Sequence, residues 1–176
     1  MKSLIELQYE VITGRRLNDE AYSYFARAVR GGRKNLINDK VIVSEMEKYS
    51  TVLSKHVVLR RVHAYEREWQ RRHPDIDVYH RDIILLSKSK KFVADLTVES
   101  AGVGYEAASA QIFGIPSLLF CHEKERGRPT MVIYFDGKTY TPTIDEVLRN
   151  KTPIIYFNDK NIREVARREI AEFFNK

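Results

Sequence analysis

The segment Lys91-Phe92-Val93-Ala94-Asp95-Leu96-Thr97-Val98, followed at once by Ser100-Ala101-Gly102-Val103-Gly104-Tyr105-Glu106, constrains the fold more than any other feature. A run this apolar at consecutive positions reads as a strand buried on both faces, the signature of a parallel sheet. The glycine-containing turn and the small, apolar stretch from Tyr105 to Phe113 then read as a helix that packs closely against that sheet. The same alternation recurs elsewhere. Tyr22 to Ala26 is a short aromatic strand ending at Arg30-Gly31-Gly32-Arg33, and Leu36, Ile37, Val41, Ile42 and Met46 fall at helical spacing between Asn35 and Lys48. Thr51-Val52-Leu53 is a second strand, and Ile76 to Ser87 has helical spacing. Pro116 to Cys121, Met131 to Phe135 and Pro153 to Phe157 are further strands, and a final helix carries the stripe Ile162, Val165, Ile170 and Phe173, with Asn158 or Asp159 as its expected cap. Strands alternating with helices predict a three-layer α/β fold of the Rossmann or flavodoxin-like kind, with a mostly parallel, five-stranded sheet. Ligands of such sheets sit beyond the carboxyl ends of the strands.

With 176 residues, 43% of them hydrophobic, and no repeat or Pro/Gly/Ser linker, the chain is expected to form one domain over residues 22–176, preceded by an N-terminal extension, 1–21. No apolar run is long enough to span a bilayer, and the single cysteine, Cys121, sits among apolar neighbours, so a soluble protein of a reducing compartment is expected: the cytoplasm, or the nucleus in a eukaryote. Thirty Lys and Arg against twenty-four Asp and Glu leave a formal charge of +6, which favours anionic ligands. Residues 58–76 concentrate Arg60, Arg61, Arg67, Arg71 and Arg72 among Tyr65, Trp69, His63 and His73, ahead of Pro74. Two readings stay open there, a solvated helix face and a basic lid over an anion.

Chemistry points to the glycine turn. Free amides and the dipole at a helix N-terminus favour an anion, and glycine lets the backbone approach it. A carboxylate in that helix's first turn, Glu106, would be held ionised and ready to act as a nucleophile. Asp82 is the second carboxyl to consider, and His56, at a strand end, could orient a water or a carboxylate.

Together these segments resemble the nucleoside 2-deoxyribosyltransferase superfamily, and most closely its branch of 2'-deoxynucleoside 5'-monophosphate N-hydrolases, over roughly residues 22–131. The loop after the first strand ends in Arg30-Gly31-Gly32-Arg33 as in that branch, Thr51 to Val57 is similar to the strand that carries its active-site His, and Tyr79-His80-Arg81-Asp82 is similar to the segment with its acidic residue. Ser100 through Glu106 matches its nucleophile segment, and Asp82 precedes Glu106 by the family's 24 positions. The resemblance implies that Glu106 is the nucleophile of a retaining, two-step cleavage of a nucleotide's N-glycosidic bond. It further implies that Asp82 assists base departure or activates water, that His56 positions it, and that Tyr24 and Tyr105 align sugar and nucleophile. Val29, Arg30, Gly31, Ser100 and Gly102 would hold the 5'-phosphate, together with Thr130 donated by the neighbouring copy of a homodimer. Ser100, where nucleoside transferases carry Asp, favours a nucleoside 5'-monophosphate as substrate. No metal or other cofactor is expected, and neither a membrane nor nucleic acid is the expected partner. Arg27 and Ala28 replace the family's Gly and Ser, so the phosphate grip is expected to differ. A base-exchanging transferase and a non-catalytic nucleotide or nucleic-acid-binding module remain the alternatives.

Overall fold

The computed structural model describes residues 3–15, 21–29, 35–125 and 154–176. Five parallel strands form one sheet in the order β2-β1-β3-β4-β5: β1 (Tyr22–Arg27), β2 (Thr51–Val52), β3 (Lys91–Asp95), β4 (Ser117–His122) and β5 (Ile154–Phe157). The described helices are α1 (Leu4–Ile12), α2 (Leu36–Met46), α3 (Val62–Arg72), α4 (Val78–Ser87), α5 (Ala101–Ile112) and α6 (Ile162–Phe174). A 3-10 turn, Lys55–Val58, follows β2. The expected doubly wound α/β architecture is thus present, while the strand expected at Met131 to Phe135 lies outside the described residues. The final helix takes Asn161 as its N-cap rather than Asn158 or Asp159, because Asn158 uses its side-chain oxygen to accept from the amides of Lys160 and Asn161 in the preceding turn.

The period-2 alternation of the central strands sorts the core into two faces. Tyr22, Tyr24 and Ala26 of β1, with Phe92 and Ala94 of β3, join Leu85, Leu86, Val103, Ala107 and Val11 on the side of α1, α4 and α5. Phe25 and Val93 join Ile42, Met46, Phe157, Ile162 and Ile170 on the side of α2 and α6. Helix α1 begins with a capping box, in which Ser3 and Glu6 exchange backbone-to-side-chain hydrogen bonds, and it buries Ile5 and Val11. At roughly 1.5–3 kcal/mol for each fully buried aliphatic side chain, these two anchor α1 to the body of the fold.

Strand order reverses between β1 and β3, whose ends lie side by side with Arg27 opposite Asp95. That switch point is where an open α/β sheet binds its ligand. No helix among the described residues is long and apolar enough to cross a membrane.

Candidate active site

A cavity of about 770 Å³ opens at the switch point, a volume suited to a small organic ligand. Its wall contains Val29, His56, Asp82, Ser100, Gly102, Tyr105 and Glu106, so seven of the sequence-predicted site residues come together there. Tyr24 lies directly beneath. Its side chain is buried, and its hydroxyl donates to Glu106 Oε1 at 2.6 Å. Arg30, Gly31 and Thr130 lie outside the described residues.

Two expectations about the glycine segment change. Gly102 and Gly104 do not form a turn ahead of the helix but lie within α5, which starts at Ala101 with Ser100 as its N-cap, the Ser100 hydroxyl accepting from the Val103 amide at 3.4 Å. Glu106 therefore falls in the second turn, beyond the reach of the strongest dipole effect. Burial dominates instead. It lifts the Glu106 carboxyl from 4.5 to about 8, with the charge of Asp82 adding to the rise and the Tyr24 hydroxyl opposing it. This carboxyl thus holds a proton near neutral pH, and the hydrogen bond from Tyr24 is what favours releasing it.

Asp82 is held by a buried cation that sequence reasoning missed. Arg81, fully buried in α4, donates to Asp82 Oδ1 at 2.8 Å and to both carboxylate oxygens of Glu66 at 3.1 Å, with its guanidinium 5.3 Å from the centre of the Trp69 ring. Burial raises Asp82 above the ordinary carboxylate range, and Arg81 followed by His56 pulls it back. Burial also works against Glu66, yet hydrogen bonds from His56 and Arg81 outweigh it and hold that carboxyl at about 2.

His56, fully buried on the 3-10 turn, is met by the N-terminal helix. The Gln8 amide nitrogen donates to the Leu53 carbonyl at 2.7 Å and lies 3.1 Å from His56 Nδ1, while Tyr65 donates to the Gln8 carbonyl oxygen at 3.0 Å. On its other side His56 Nε2 lies 2.9 Å from the Arg81 guanidinium and 3.2 Å from Glu66 Oε1. His56 thus joins Gln8 to the Glu66 and Arg81 pair that holds Asp82.

Segment 58–76 is neither a plain solvated face nor a simple lid. Its helix, α3, buries Trp69 completely and supplies Glu66 to the network. The signal for Gln8, Glu66 and Arg81 was present in the sequence. Each is a polar residue on the apolar stripe of its helix, Ile5-Gln8, Val62-Glu66-Trp69 and Val78-Arg81-Leu85, where burial demands a partner.

Arg27 forms part of the cavity wall but is not a free cation there. The alternation of β1 sends it with Phe25 toward α2, where it is mostly buried and meets Asp39 at 2.8 Å. Burial first, and then the neighbouring Asp95, push Asp39 up to about 9, against the opposing pull of Arg27. Tyr105 is half exposed at the cavity rim, where its hydroxyl accepts from Tyr79 at 2.6 Å.

Several known proteins are similar in sequence to this chain. The chain is 37% identical over 87 residues to the provisionally named 2'-deoxynucleoside 5'-phosphate N-hydrolase 1 of Nematostella vectensis, covering 49% of this chain and 58% of that protein. It is 32% identical over 87 residues to the 5-hydroxymethyl-dUMP N-hydrolase of Danio rerio, covering 49% and 59%. To the enzyme of the same name from Esox lucius it is 35% identical over 98 residues, covering 56% and 66%. The matches thus span between 58% and 66% of the length of these curated relatives. No family model matches it.

Proposed function

We propose that this chain, as a relative of the 2'-deoxynucleoside 5'-phosphate N-hydrolases, hydrolyses the N-glycosidic bond of a (deoxy)nucleoside 5'-monophosphate to free base and sugar 5-phosphate. The observation that carries the reading is the buried Tyr24 hydroxyl 2.6 Å from Glu106 in a cavity also walled by Asp82. In the first step a carboxylate oxygen of Glu106 attacks C1', the C1'–N bond breaks, and the departing base takes a proton from water. In the second, water attacks C1' of the glycosyl ester, its proton passes to Asp82, and the Glu106 carboxylate is released. Arg81 fixes Asp82 for that transfer, and Tyr24 orients Glu106 so that its other oxygen faces the sugar. Ser100 and the free amides at the start of α5 receive the phosphate beside Gly102 and Val29. On the same reading the working unit is a cytoplasmic homodimer in which a second copy lends Thr130 to the phosphate.

The nucleophile must be ionised, so kcat/KM is expected to rise with pH until about 8 and then level off. A pH–rate profile measured with a monophosphate checks this. Tyr24→Phe removes the hydrogen bond that favours the Glu106 anion, so the rising limb moves to higher pH and kcat/KM at pH 8 falls by at least ~10-fold. Gly102→Ala separates structure from binding. The new methyl group would meet only Ser100 Oγ, at an ordinary 3.6 Å, and alanine is the better helix former by about 1 kcal/mol. The melting temperature should hold or rise, while KM for the monophosphate rises by ~10-fold because the methyl group intrudes on the anion site.

Incubating the purified protein with a panel of ribo- and deoxyribonucleosides and their 5'-monophosphates, with free base quantified by chromatography, tests the assignment. Base release from monophosphates is expected. Turnover of nucleosides with none of monophosphates would reverse it, and transfer of the sugar to an added second base would identify a transferase.

A further inference from the structure

The arginines around α3 divide into two sets. Arg71 and Arg72 fold back onto Glu68 at 2.9 and 2.6 Å, and Arg81 is taken up by Glu66 and Asp82. Arg60, Arg61 and Arg67 make no ion pair or hydrogen bond with any described residue, although all three are solvent-accessible and free to do so. They converge on one cavity of about 570 Å³, whose wall also includes Leu36 and His63. This second cavity shares Arg27, Val29 and His63 with the catalytic one, so it continues the site at its phosphate end. Arg61 is the N-cap of α3, and no acidic residue occupies that helix's first turn. Arg60 and Arg61 face the positive end of a helix dipole as well as each other, a repulsion that a bound anion relieves.

Resting on the assignment above, we propose that this annex binds phosphates beyond the 5'-phosphate, so that the chain prefers nucleoside di- and triphosphates to monophosphates. Three guanidiniums without a partner among the described residues, gathered round a cavity, suit the added charge of a polyphosphate. An extended strand would need a continuous basic track, and Arg71 and Arg72, further along α3, are already engaged by Glu68.

The test is calorimetric titration of Glu106→Gln, which binds without turnover, with the mono-, di- and triphosphate of one deoxynucleoside and with a short 5'-phosphorylated oligonucleotide. Each added phosphate is expected to tighten binding by ~10-fold. The combined variant Arg60→Ala, Arg61→Ala, Arg67→Ala should lose that gain and keep its monophosphate affinity. These side chains are exposed and unpaired, so the variant should fold, which circular dichroism verifies. Equal affinity for the three nucleotides, a gain that survives the triple variant, or tighter binding of the oligonucleotide than of the triphosphate would overturn the proposal. If the monophosphate is bound and cleaved without any gain from further phosphates, only the annex assignment fails. If no monophosphate is bound or cleaved, the hydrolase assignment fails with it.

Discussion

Glu106→Gln is expected to abolish base release while making the protein more stable. Loss of a nucleophile that acts with its partners as a unit costs more than ~10³-fold in kcat. Glutamine still accepts the Tyr24 hydrogen bond but cannot ionise. In the wild type the folded carboxyl titrates near 8 against an ordinary 4.5, so the folded state holds a proton that the unfolded chain releases. That contribution to stability is full below about 4.5 and is lost as pH rises to about 8. The melting temperatures of the two proteins should therefore coincide in acid and separate between those values, with the variant higher. The shift converts to roughly 5 kcal/mol if taken whole, and the open cavity beside the carboxyl reduces this to about 2 kcal/mol, a few degrees for a chain of this size. Activity and melting curves across pH check both halves.

Arg81→Leu is expected to be the most damaging single change to stability. The guanidinium is fully buried and compensates Glu66 and Asp82 at once, with its face against Trp69. Its removal leaves two carboxylates in a partly buried site without their cation, a loss of about 3–5 kcal/mol that should lower the melting temperature by ~10 °C or more. Base release should fall as well, because Asp82 loses the group that holds it. Arg81→Lys keeps the charge but not the fork that reaches both acids, so it should recover part of the stability and little of the rate. Thermal unfolding and base release on the two variants, run together, measure this.

The fold was largely legible because the sheet is buried on both faces, and such strands write themselves as apolar runs: Lys91 to Asp95, Ser117 to Cys121 and Ile154 to Phe157 stand out without any partner information. The helix start at Ala101 was less so. A glycine pair argues for a turn in local terms, yet Ser100 caps the helix and packing of Val103, Ala107 and Ala110 draws both glycines into it. Asp82 and Glu106 could be nominated from type and spacing, and Tyr24 through the family resemblance, but the protonation of the carboxyls could not. Whether a carboxyl near a helix start is ionised depends on how deeply neighbouring chains bury it, and at Glu106 burial overrides the dipole. The support of the site was hidden for a related reason. Gln8, Glu66 and Arg81 come from three helices far apart in sequence, and only their shared approach to His56 shows that these polar residues answer one another.

The account stands on Glu106 as the atom donor that takes the sugar from the base, and acid quenching during turnover tests that most directly. The protein is mixed with a monophosphate, stopped within the first turnover, and analysed by intact mass and peptide mapping. The expected result is a mass increase equal to the sugar 5-phosphate residue, confined to the peptide that contains Glu106 and absent from Glu106→Gln. Release of base at an undiminished rate by Glu106→Gln, with no adduct on that peptide in the wild type, would contradict it.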